Sequence, residues 1–169
     1  LQKIIELWMS KNSKYKKNVW ESSILSKRII SWILNVDIIL NNGSFYFKRN
    51  FLSSIIAQSN HLKKNIKFEK NYSKRMEILT ALLLSGLVFK EYIENFNISI
   101  KELEKLVKIY FDKDGFPLTR NPSDLVFFVK YLILCKECIK DAQQYVPEFL
   151  EIIIEKNLTC IKNISTPDN

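Results

Sequence analysis

The sequence predicts an all-α fold, and three observations support that class. Apolar residues recur at helical spacing through most of the 169 residues, and no segment shows the strict alternation of a strand. The chain holds only three glycines and four prolines, so turn signals are few. The segments between the apolar runs are short, which makes each helix antiparallel to the next. We therefore expect about seven helices in antiparallel helical hairpins, while bundle, solenoid and toroid stay open.

Each predicted helix corresponds to one run of apolar residues at helical spacing. The first two runs are separated by a polar segment, residues 11–18, which we expect to be a loop. The second run stops at Asn41-Asn42-Gly43, a strong C-terminal signal, and Ser44 or the aromatic cluster after it starts the third. The predicted helices cover residues 2–10, 19–40, 44–62, 76–93, 99–112, 122–135 and 147–158.

The helix predicted over residues 76–93 is the most apolar of the chain. Because residues 81–87 are apolar nearly all round, we expect this helix to be buried between neighbours. Gly86 costs about 1 kcal/mol of helix propensity there, which indicates close approach of another helix. Ser73 is the expected N-cap, and Ser99–Glu102 resembles a capping box that starts the following helix.

The segment Asp112–Pro122 is the most heavily punctuated loop, with one of the three glycines and two of the four prolines. Asp114-Gly115 predicts a turn in which the glycine accepts a positive φ. Pro117 prevents a helix from continuing through the loop. Asn121 followed by Pro122 is the pattern of an N-cap and a first helical turn. We therefore expect two helices to meet at this loop.

Arg120 places a cation in that loop, between Thr119 and Asn121. A guanidinium at the mouth of a helix pair is suited to bind an anionic ligand. The alternative is that the Arg120 side chain is solvated or pairs with Asp124. The local sequence leaves both interpretations open.

The formal net charge is +8 and the isoelectric point is near 9.3, which raises the question of an anionic partner. Nucleic acid, a membrane and an acidic polysaccharide are the candidates. The basic residues are dispersed and no nucleic-acid-binding module is visible, so we expect no nucleic-acid partner. The longest apolar runs, residues 78–89 and 125–135, are too short or interrupted by Lys130, so we expect no transmembrane segment.

Cysteine and histidine do not predict a metal site. Cys135 and Cys138 have CxxC spacing, but they lie inside a predicted helix with no second pair and no nearby histidine. Because a zinc site requires four ligands, we predict no metal and no cofactor, and ordinary buried thiols instead. The single histidine, His61, is expected to pack or to cap a helix rather than to catalyse.

Four stretches, in order along nearly the whole chain, resemble motifs of one protein family. They are Leu7-Trp8-Met9 with Trp20-Glu21 and Ser26–Ile33, Phe51–Gln58 with Asn60-His61-Leu62, Leu82–Leu87, and Asp114–Pro122. In that order they are similar to the Trp-rich opening, the Gln-x-x-x-Leu helix, the Ala-Gly-Leu helix and the Asp-Gly-Gly-His-x-x-Arg-Asn-Pro loop of the heparinase II/III-like superfamily. That superfamily contains polysaccharide lyases and uncharacterised bacterial relatives, and the loop resembles the uncharacterised branch.

The resemblance implies a fold, a partner and a location. The fold is an incomplete α/α toroid, with residues 1–169 as a single helical domain. Family members normally continue into a β-sandwich domain that packs on the toroid, so the chain, which ends at Thr166–Asn169, is expected to be truncated at both ends. The implied partner is an acidic, uronate-containing polysaccharide, and the implied location is the periplasm or the cell envelope.

The chemistry that the resemblance implies is β-elimination at a uronic acid. It requires a group that neutralises the carboxylate, a base for the neighbouring proton and an acid for the leaving oxygen. The loop match assigns substrate binding to Arg120 and Asn121. Where active members show Asn-His, this sequence has Ser73-Lys74, and where they show a tyrosine it has Asp124. The nearby replacement candidates for catalysis are Tyr72, Asn71 and Lys74.

Three functions are compatible with the sequence, and whether the chain is an enzyme stays open. The first is a lyase-like domain that cleaves or binds an acidic glycan, with Arg120 and Lys74 in one cleft. Trp8, Trp20 and Trp32 would then offer stacking planes for sugar rings, although their helix-periodic positions favour the core. The second is a non-catalytic relative in glycan binding or envelope assembly, which the missing Asn-His and tyrosine favour. The third is a helical protein-interaction scaffold, which requires a concave apolar groove.

Overall fold

The fold is all-α, as the sequence predicts. The computed structural model describes residues 1–165, and the structural statements below concern these residues. They form eight α-helices and two short 3-10 turns, with no strand beyond one isolated bridge between Phe111 and Pro117. The helices are α1 (Gln2–Asn12), α2 (Ser22–Leu34), α3 (Val36–Leu40), α4 (Phe45–Asn65), α5 (Tyr72–Val88), α6 (Ile93–Tyr110), α7 (Pro122–Asp141) and α8 (Glu148–Ile164). Residues 166–169, where the predicted truncation at the C-terminus falls, lie outside the described part.

The long helices pack as three pairs, α2 with α4, α5 with α6, and α7 with α8. In the α5–α6 pair, Asn95 Nδ2 lies 3.3 Å from Ser85 Oγ near the connecting turn. Further from the turn, Arg75 Nη2 lies 3.1 Å from Glu102 Oε2. The contact near the turn joins residues 10 positions apart and the contact further away joins residues 27 apart, which is the pattern of two antiparallel helices. This pair therefore confirms the hairpin architecture.

Helices α2, α5 and α7 lie side by side in one layer, with α5 in the middle. Buried Glu77 of α5 ties the layer together, because its carboxylate accepts hydrogen bonds from Ser23 Oγ at 2.5 Å and from the Tyr131 hydroxyl at 3.4 Å. Lys27 Nζ lies 3.2 Å from the same carboxylate. Burial, with the charge of Glu77, raises the pKa of Tyr131 to about 12, so its phenol remains a donor.

The three helices of this layer begin at the same end. Thr80 Oγ1 of α5 lies 3.5 Å from Cys135 Sγ of α7, one turn beyond the Glu77–Tyr131 contact on both helices, so α5 and α7 run parallel. At the N-terminal end of α5, Lys74 Nζ lies 2.7 Å from Glu21 Oε1, which precedes α2. This end of the layer therefore gathers the residues that the sequence singled out around Lys74.

Helix α5 is the most buried element. Every residue from Met76 to Gly86 is buried, which confirms the predicted position between neighbouring helices. A Cβ placed on Gly86 would lie 2.8 Å from Phe96 Cβ and 2.9 Å from Phe96 Cα, on α6. Real Cβ contacts are longer than this, so the close approach predicted from Gly86 is confirmed.

The predicted ends of α5 are wrong. The helix begins at Tyr72 because the side chain of Asn71, and not that of Ser73, accepts a backbone N–H of the first turn, at 3.0 Å. It ends at Val88 instead of Ile93, because the chain turns at a short 3-10 segment before α6. Two polar residues of similar capping propensity stand two positions apart, and the sequence pattern selected the wrong one.

The capping box predicted at Ser99–Glu102 lies inside a helix. Helix α6 begins at Ile93, and Ser99 is fully buried against the core. A capping motif cannot show that the helix has already begun one turn or more upstream.

The predicted helix over residues 19–40 breaks at Asn35 into α2 and α3, which gives eight helices where seven were expected.

The hydrophobic core fills the space between the helices and includes Leu25, Ile55, Leu79, Leu103 and Leu132.

In agreement with the sequence prediction, no helix within residues 1–165 is both long enough and apolar enough to cross a membrane. The layered hairpins are the architecture from which a toroid is built, and the toroid itself stays a prediction.

Candidate functional site

A groove runs along one side of α4, between that helix and the N-terminal segment of the chain. It consists of two cavities of about 500 Å³ each, both lined by Trp20. We refer to the two cavities together as the α4 groove. One wall comes from α1 and the segment that follows it. The other wall is a stripe of α4 formed by Tyr46, Asn50, Ser53, Ser54, Ala57 and His61.

The helix period places this stripe on one face of α4. The adjacent face, which carries Phe47, Phe51 and Ile55, is buried in the core and fixes the rotation of the helix. From Tyr46 to His61 the stripe is about 22 Å long at the rise of an α-helix. The groove is therefore long enough for an extended ligand.

Trp20 is held in place between the two cavities. Its indole Nε1 donates to the Asn12 carbonyl at the end of α1, at 3.2 Å. Its ring meets His61 of α4 edge-on, at a centroid distance of 5.3 Å. Arg28 Nη2 donates to the carbonyl of Val19 at 3.0 Å, which fastens the preceding residue to α2. The indole is thus fixed by three separate helices.

Trp8 and Trp32 take part in packing instead. The Arg28 guanidinium lies 4.0 Å from the Trp8 ring centroid, a cation–π contact. The Trp8 ring packs edge-on against Trp32 at 5.4 Å, and Trp32 packs against buried Phe51 at 5.0 Å. Of the three tryptophans proposed from the sequence as stacking planes, Trp20 is the one that lines the α4 groove.

The first cavity, between α1 and α4, offers polar groups with unused hydrogen-bonding capacity. Five of its lining side chains, Glu6, Ser13, Tyr46, Asn50 and Ser53, make no hydrogen bond or ion pair within residues 1–165. Together they supply three hydroxyls, one amide and one carboxylate in a cavity that Trp20 also lines. Such a set can both donate to and accept from a polar ligand.

The second cavity combines aromatic rings with charged side chains. The rings are Tyr15, Trp20, His61 and Phe68, and the charged residues are Lys17, Glu21 and Glu69. Desolvation, and to a lesser degree the charge of Lys64, lowers the pKa of His61, so the imidazole is neutral near pH 7. The hydrogen bond from Lys74 lowers the pKa of Glu21, which therefore stays ionised.

The predicted catalytic candidates lie beside this cavity and do not line it. Asn71 caps α5, and Lys74 Nζ is paired with Glu21 Oε1 at 2.7 Å. The hydrogen bond with Glu21 raises the pKa of Lys74, so its amine is protonated and cannot accept a proton. The ring of Tyr72 packs 5.3 Å from that of Tyr110. Neither Asn71 nor Lys74 is therefore positioned as a free base.

The predicted substrate-binding residues, Arg120 and Asn121, support the loop in which they lie. Arg120 Nη1 donates to Asp112 Oδ2 at 2.6 Å, so its partner is Asp112 and not Asp124. Asn121 caps α7 by accepting a backbone N–H two residues on at 3.0 Å, as predicted. Arg120 also adopts φ +56°, in the left-handed region that is uncommon for a residue with a side chain.

A short chain of contacts links the beginnings of α5 and α7. Tyr72 contacts Tyr110, whose hydroxyl donates to Asp124 Oδ2 of α7 at 3.0 Å. Lys74 and Arg120 therefore lie at the same end of two parallel, neighbouring helices. Each cation is paired with its own carboxylate, and neither lines the α4 groove. The single cleft predicted for Arg120 and Lys74 stays a prediction.

Asp112 holds the loop through its ionised carboxylate. Oδ1 accepts the backbone N–H groups of Asp114 and Phe116 at 3.0 and 2.9 Å, and Oδ2 accepts from Arg120. The N–H of Phe116, followed by Arg120, lowers the pKa of Asp112 below its ordinary value of 3.8. The negative charge of Asp112 is therefore part of the folded loop.

We expect Asp112→Asn to reduce the acid sensitivity of the fold. Because the folded pKa is lowered, the contribution of the carboxylate is present above its ordinary pKa of 3.8 and is lost as the pH falls through the lower folded value. Urea unfolding at neutral pH and at about pH 3 should show a larger acid loss in the wild type than in the variant. Asp141→Asn, at the exposed end of α7, is the control. Equal acid losses in the wild type and Asp112→Asn would contradict this role.

The sequence predicts ordinary buried thiols, and Cys135 is one, because it is fully buried in α7. Burial raises its pKa to about 12, so the thiol is protonated and unreactive. Burial also raises the pKa of Cys138, its partner in the CxxC spacing. Within residues 1–165, no cluster of three His, Cys, Asp or Glu side chains is arranged to hold a metal ion.

The sequence reasoning missed the α4 groove. Its signal was a second, polar stripe on α4, Tyr46, Asn50, Ser53 and Ala57, at helical spacing next to the apolar one. An exposed helix face shows the same pattern, so the stripe alone does not indicate a site. Only the position of Trp20 opposite this stripe identifies it as a groove wall.

Comparison with known proteins gives no further assignment for the groove. The resemblance to heparinase II/III-like proteins therefore stays a prediction that depends on the four sequence stretches. No protein-family model, no curated protein and no solved structure matches the chain.

Proposed function

We propose that this protein binds a saccharide chain in the α4 groove without cleaving it. The observation that carries the proposal is that Trp20 lines both cavities, the first of which presents hydroxyl and amide groups without partners within residues 1–165. Sugar rings have apolar C–H faces that stack on aromatic rings and hydroxyls that exchange hydrogen bonds with polar side chains. A site built to satisfy such hydroxyls discriminates strongly against ligands that lack them.

The dimensions of the groove support an oligomeric ligand. Each cavity has the volume of a typical small-molecule site, which ranges from about 300 to 1,000 Å³. The two cavities follow one another along α4, and Trp20 lines both. A linear saccharide can place successive units in both cavities and stack on the indole between them. A single sugar would use only half of the available contacts.

The pairing of the two predicted site cations, Lys74 and Arg120, supports binding over cleavage. Elimination requires a base that can accept a proton and a cation that is free to neutralise a carboxylate. Lys74 is protonated and paired with Glu21, and Arg120 is paired with Asp112. The candidate tyrosine, Tyr72, packs on another tyrosine ring. These pairings favour the non-catalytic alternative among the functions that the sequence allows.

Tyr46→Ala is expected to weaken saccharide binding about tenfold, equivalent to about 1.4 kcal/mol. The Tyr46 ring lines the first cavity and is 69% exposed, so its removal takes away a ligand contact without opening the core. Isothermal titration calorimetry with linear 1,4-linked glucose and N-acetylglucosamine oligomers measures the change.

Phe45→Ala is the matched control for this experiment. Phe45 is the neighbouring aromatic residue, is 82% exposed and does not line the cavity. Its replacement should leave the dissociation constant unchanged within a factor of two. Absence of binding to every linear saccharide, or an equal loss in Phe45→Ala, would overturn the proposal.

The second candidate function is β-elimination of an acidic polysaccharide at the N-terminal ends of α5 and α7. The contact chain through Tyr72, Tyr110 and Asp124 favours it, because it brings Lys74 and Arg120 to one end of the layer. The positive ends of two parallel helix dipoles add to these cations. Incubation with uronate polysaccharides, followed by absorbance of the unsaturated uronate product, tests it directly. No absorbance change across a broad panel would remove this candidate.

A further inference from the structure

The charges along the α4 groove are opposite to those of the whole chain. The chain carries a net charge of +8, yet the groove is lined by three carboxylates and one ammonium. The carboxylates are Glu6, Glu21 and Glu69, and the ammonium is Lys17. The first cavity contains Glu6 as its one ionisable acid or base within the described residues, apart from the phenol of Tyr46.

We infer that the α4 groove selects a neutral saccharide chain and rejects one that carries uronate carboxylates, an inference that rests on the proposed function. A uronate carboxylate in the first cavity would lie near Glu6 with no lining cation to pair with it. An anion removed from water without a partner, and close to a like charge, is strongly disfavoured. The net charge of the chain therefore does not indicate the charge of its ligand.

Two cations beside the groove, Lys74 and Arg28, are already used by the protein. Lys74 is paired with Glu21 at the edge of the second cavity. Arg28 is half-buried between the ring of Trp8 and the Gln58 side chain, whose Oε1 accepts from it at 2.9 Å. Among the described lining residues Lys17 is the cation, and Lys64 and Lys67 stand beside His61 and Phe68 of the second cavity. No cation among the described residues lines the first cavity, so a carboxylate of the ligand would lie there beside Glu6 without a partner.

The hydrogen-bonding groups of the first cavity agree with a neutral ligand. Hydroxyls of a sugar donate and accept, which matches the hydroxyls of Ser13, Ser53 and Tyr46 and the amide of Asn50. The carboxylate of Glu6 accepts only, so it requires a ligand that donates. A sugar hydroxyl donates to it, whereas a uronate carboxylate accepts only and cannot.

The experiment compares the affinity of the protein for a neutral oligosaccharide with its affinity for the same oligosaccharide after the primary hydroxyls have been oxidised to carboxylates. The probes are 1,4-linked glucose oligomers and the corresponding glucuronate oligomers. Each is titrated calorimetrically into the protein, residues 1–169, at low salt. The wild type should bind the neutral form at least tenfold more tightly. Glu6→Gln should narrow this ratio, and Glu6→Lys should narrow it further or invert it. Glu91→Gln, an exposed glutamate outside the groove, should leave the ratio unchanged.

Each result separates this inference from the proposed function. Equal or tighter binding of the oxidised chain, with loss of that binding in Tyr46→Ala, would overturn the charge selection and leave saccharide binding in the groove intact. An unaltered ratio in both Glu6 variants would also overturn the selection, because Glu6 is the charge assigned to it. If the protein binds neither form and no other neutral oligomer, the proposed function itself is overturned.

Discussion

Gly86→Ala is expected to lower the free energy of unfolding by about 3 kcal/mol, at the upper end of the usual cost of overpacking. The added Cβ would collide with the backbone of Phe96, at 2.9 Å from its Cα, where α5 and α6 approach most closely. A backbone cannot rotate away as a side chain does, so α6 must move as a whole. The gain of about 1 kcal/mol in helix propensity over glycine is too small to offset that displacement.

Thermal unfolding followed by circular dichroism measures this effect. A loss of about 3 kcal/mol corresponds to a fall in Tm of about 6–12 °C for a chain of this length. Gly43→Ala is the control, because its Cβ would lie 3.1 Å from side-chain atoms of Gln2 and Phe47 and 3.3 Å from the Leu40 carbonyl oxygen, all longer than the contacts at Gly86. The control should lose less than about 1 kcal/mol. An unchanged or higher Tm for Gly86→Ala would contradict the close contact between α5 and α6.

Gly115→Ala is expected to cost about as much, roughly 3 kcal/mol, for two separate reasons. Gly115 has φ +86°, and the left-handed region disfavours a residue with a Cβ by about 1–2 kcal/mol. The new Cβ would also lie 2.5 Å from Lys156 Cβ on α8. The loop would have to lift away from α8, which breaks the 2.6 Å hydrogen bond from Asn157 Nδ2 to the Gly115 carbonyl and leaves a buried amide unpaired.

Urea unfolding gives the stability change for Gly115→Ala, and a thiol reagent shows where the change begins. Cys160 Sγ donates to the Asp114 carbonyl at 3.3 Å, so displacement of the loop should expose Cys160 and speed its reaction. Cys135, fully buried in α7, should remain unreactive until global unfolding. Gly115→Asn tolerates the positive φ better and keeps the Cβ collision, so its loss should be smaller than that of Gly115→Ala. Wild-type stability together with wild-type Cys160 reactivity would contradict the docking of this loop on α8.

Helices and local signals were predictable from the sequence because they depend on neighbouring residues. The cap at Asn121 and the turn at Gly115 are confirmed, and of the two predicted starts of α4 the structure has Ser44 as the cap, since each involves groups within a few positions. The capping box at Ser99 is wrong, because a motif of four residues carries no information about where the helix began. The clash at Gly86 followed from composition alone, since a glycine in an apolar helix has few other reasons to be there.

The candidate site could not be predicted, because its walls come from segments that only tertiary packing brings together. Glu6, Trp20 and Asn50 belong to three different segments, and no spacing rule links them. The sequence instead pointed to Arg120 and Lys74, whose charges looked available. In the structure Lys74 is paired with Glu21, which is distant in sequence, and Arg120 with Asp112 across the loop. The periodicity of apolar residues does not reveal such ion pairs.

Helix α1 packs chiefly on α4, whereas α5 is enclosed by four other helices. Free energies of local opening follow such differences, so we expect the first helix to open more readily than the central layer. Since α1 is one wall of the groove, a ligand lying in it would fasten the first helix to the rest of the molecule. Occupancy and N-terminal order would then be two readouts of one linked equilibrium.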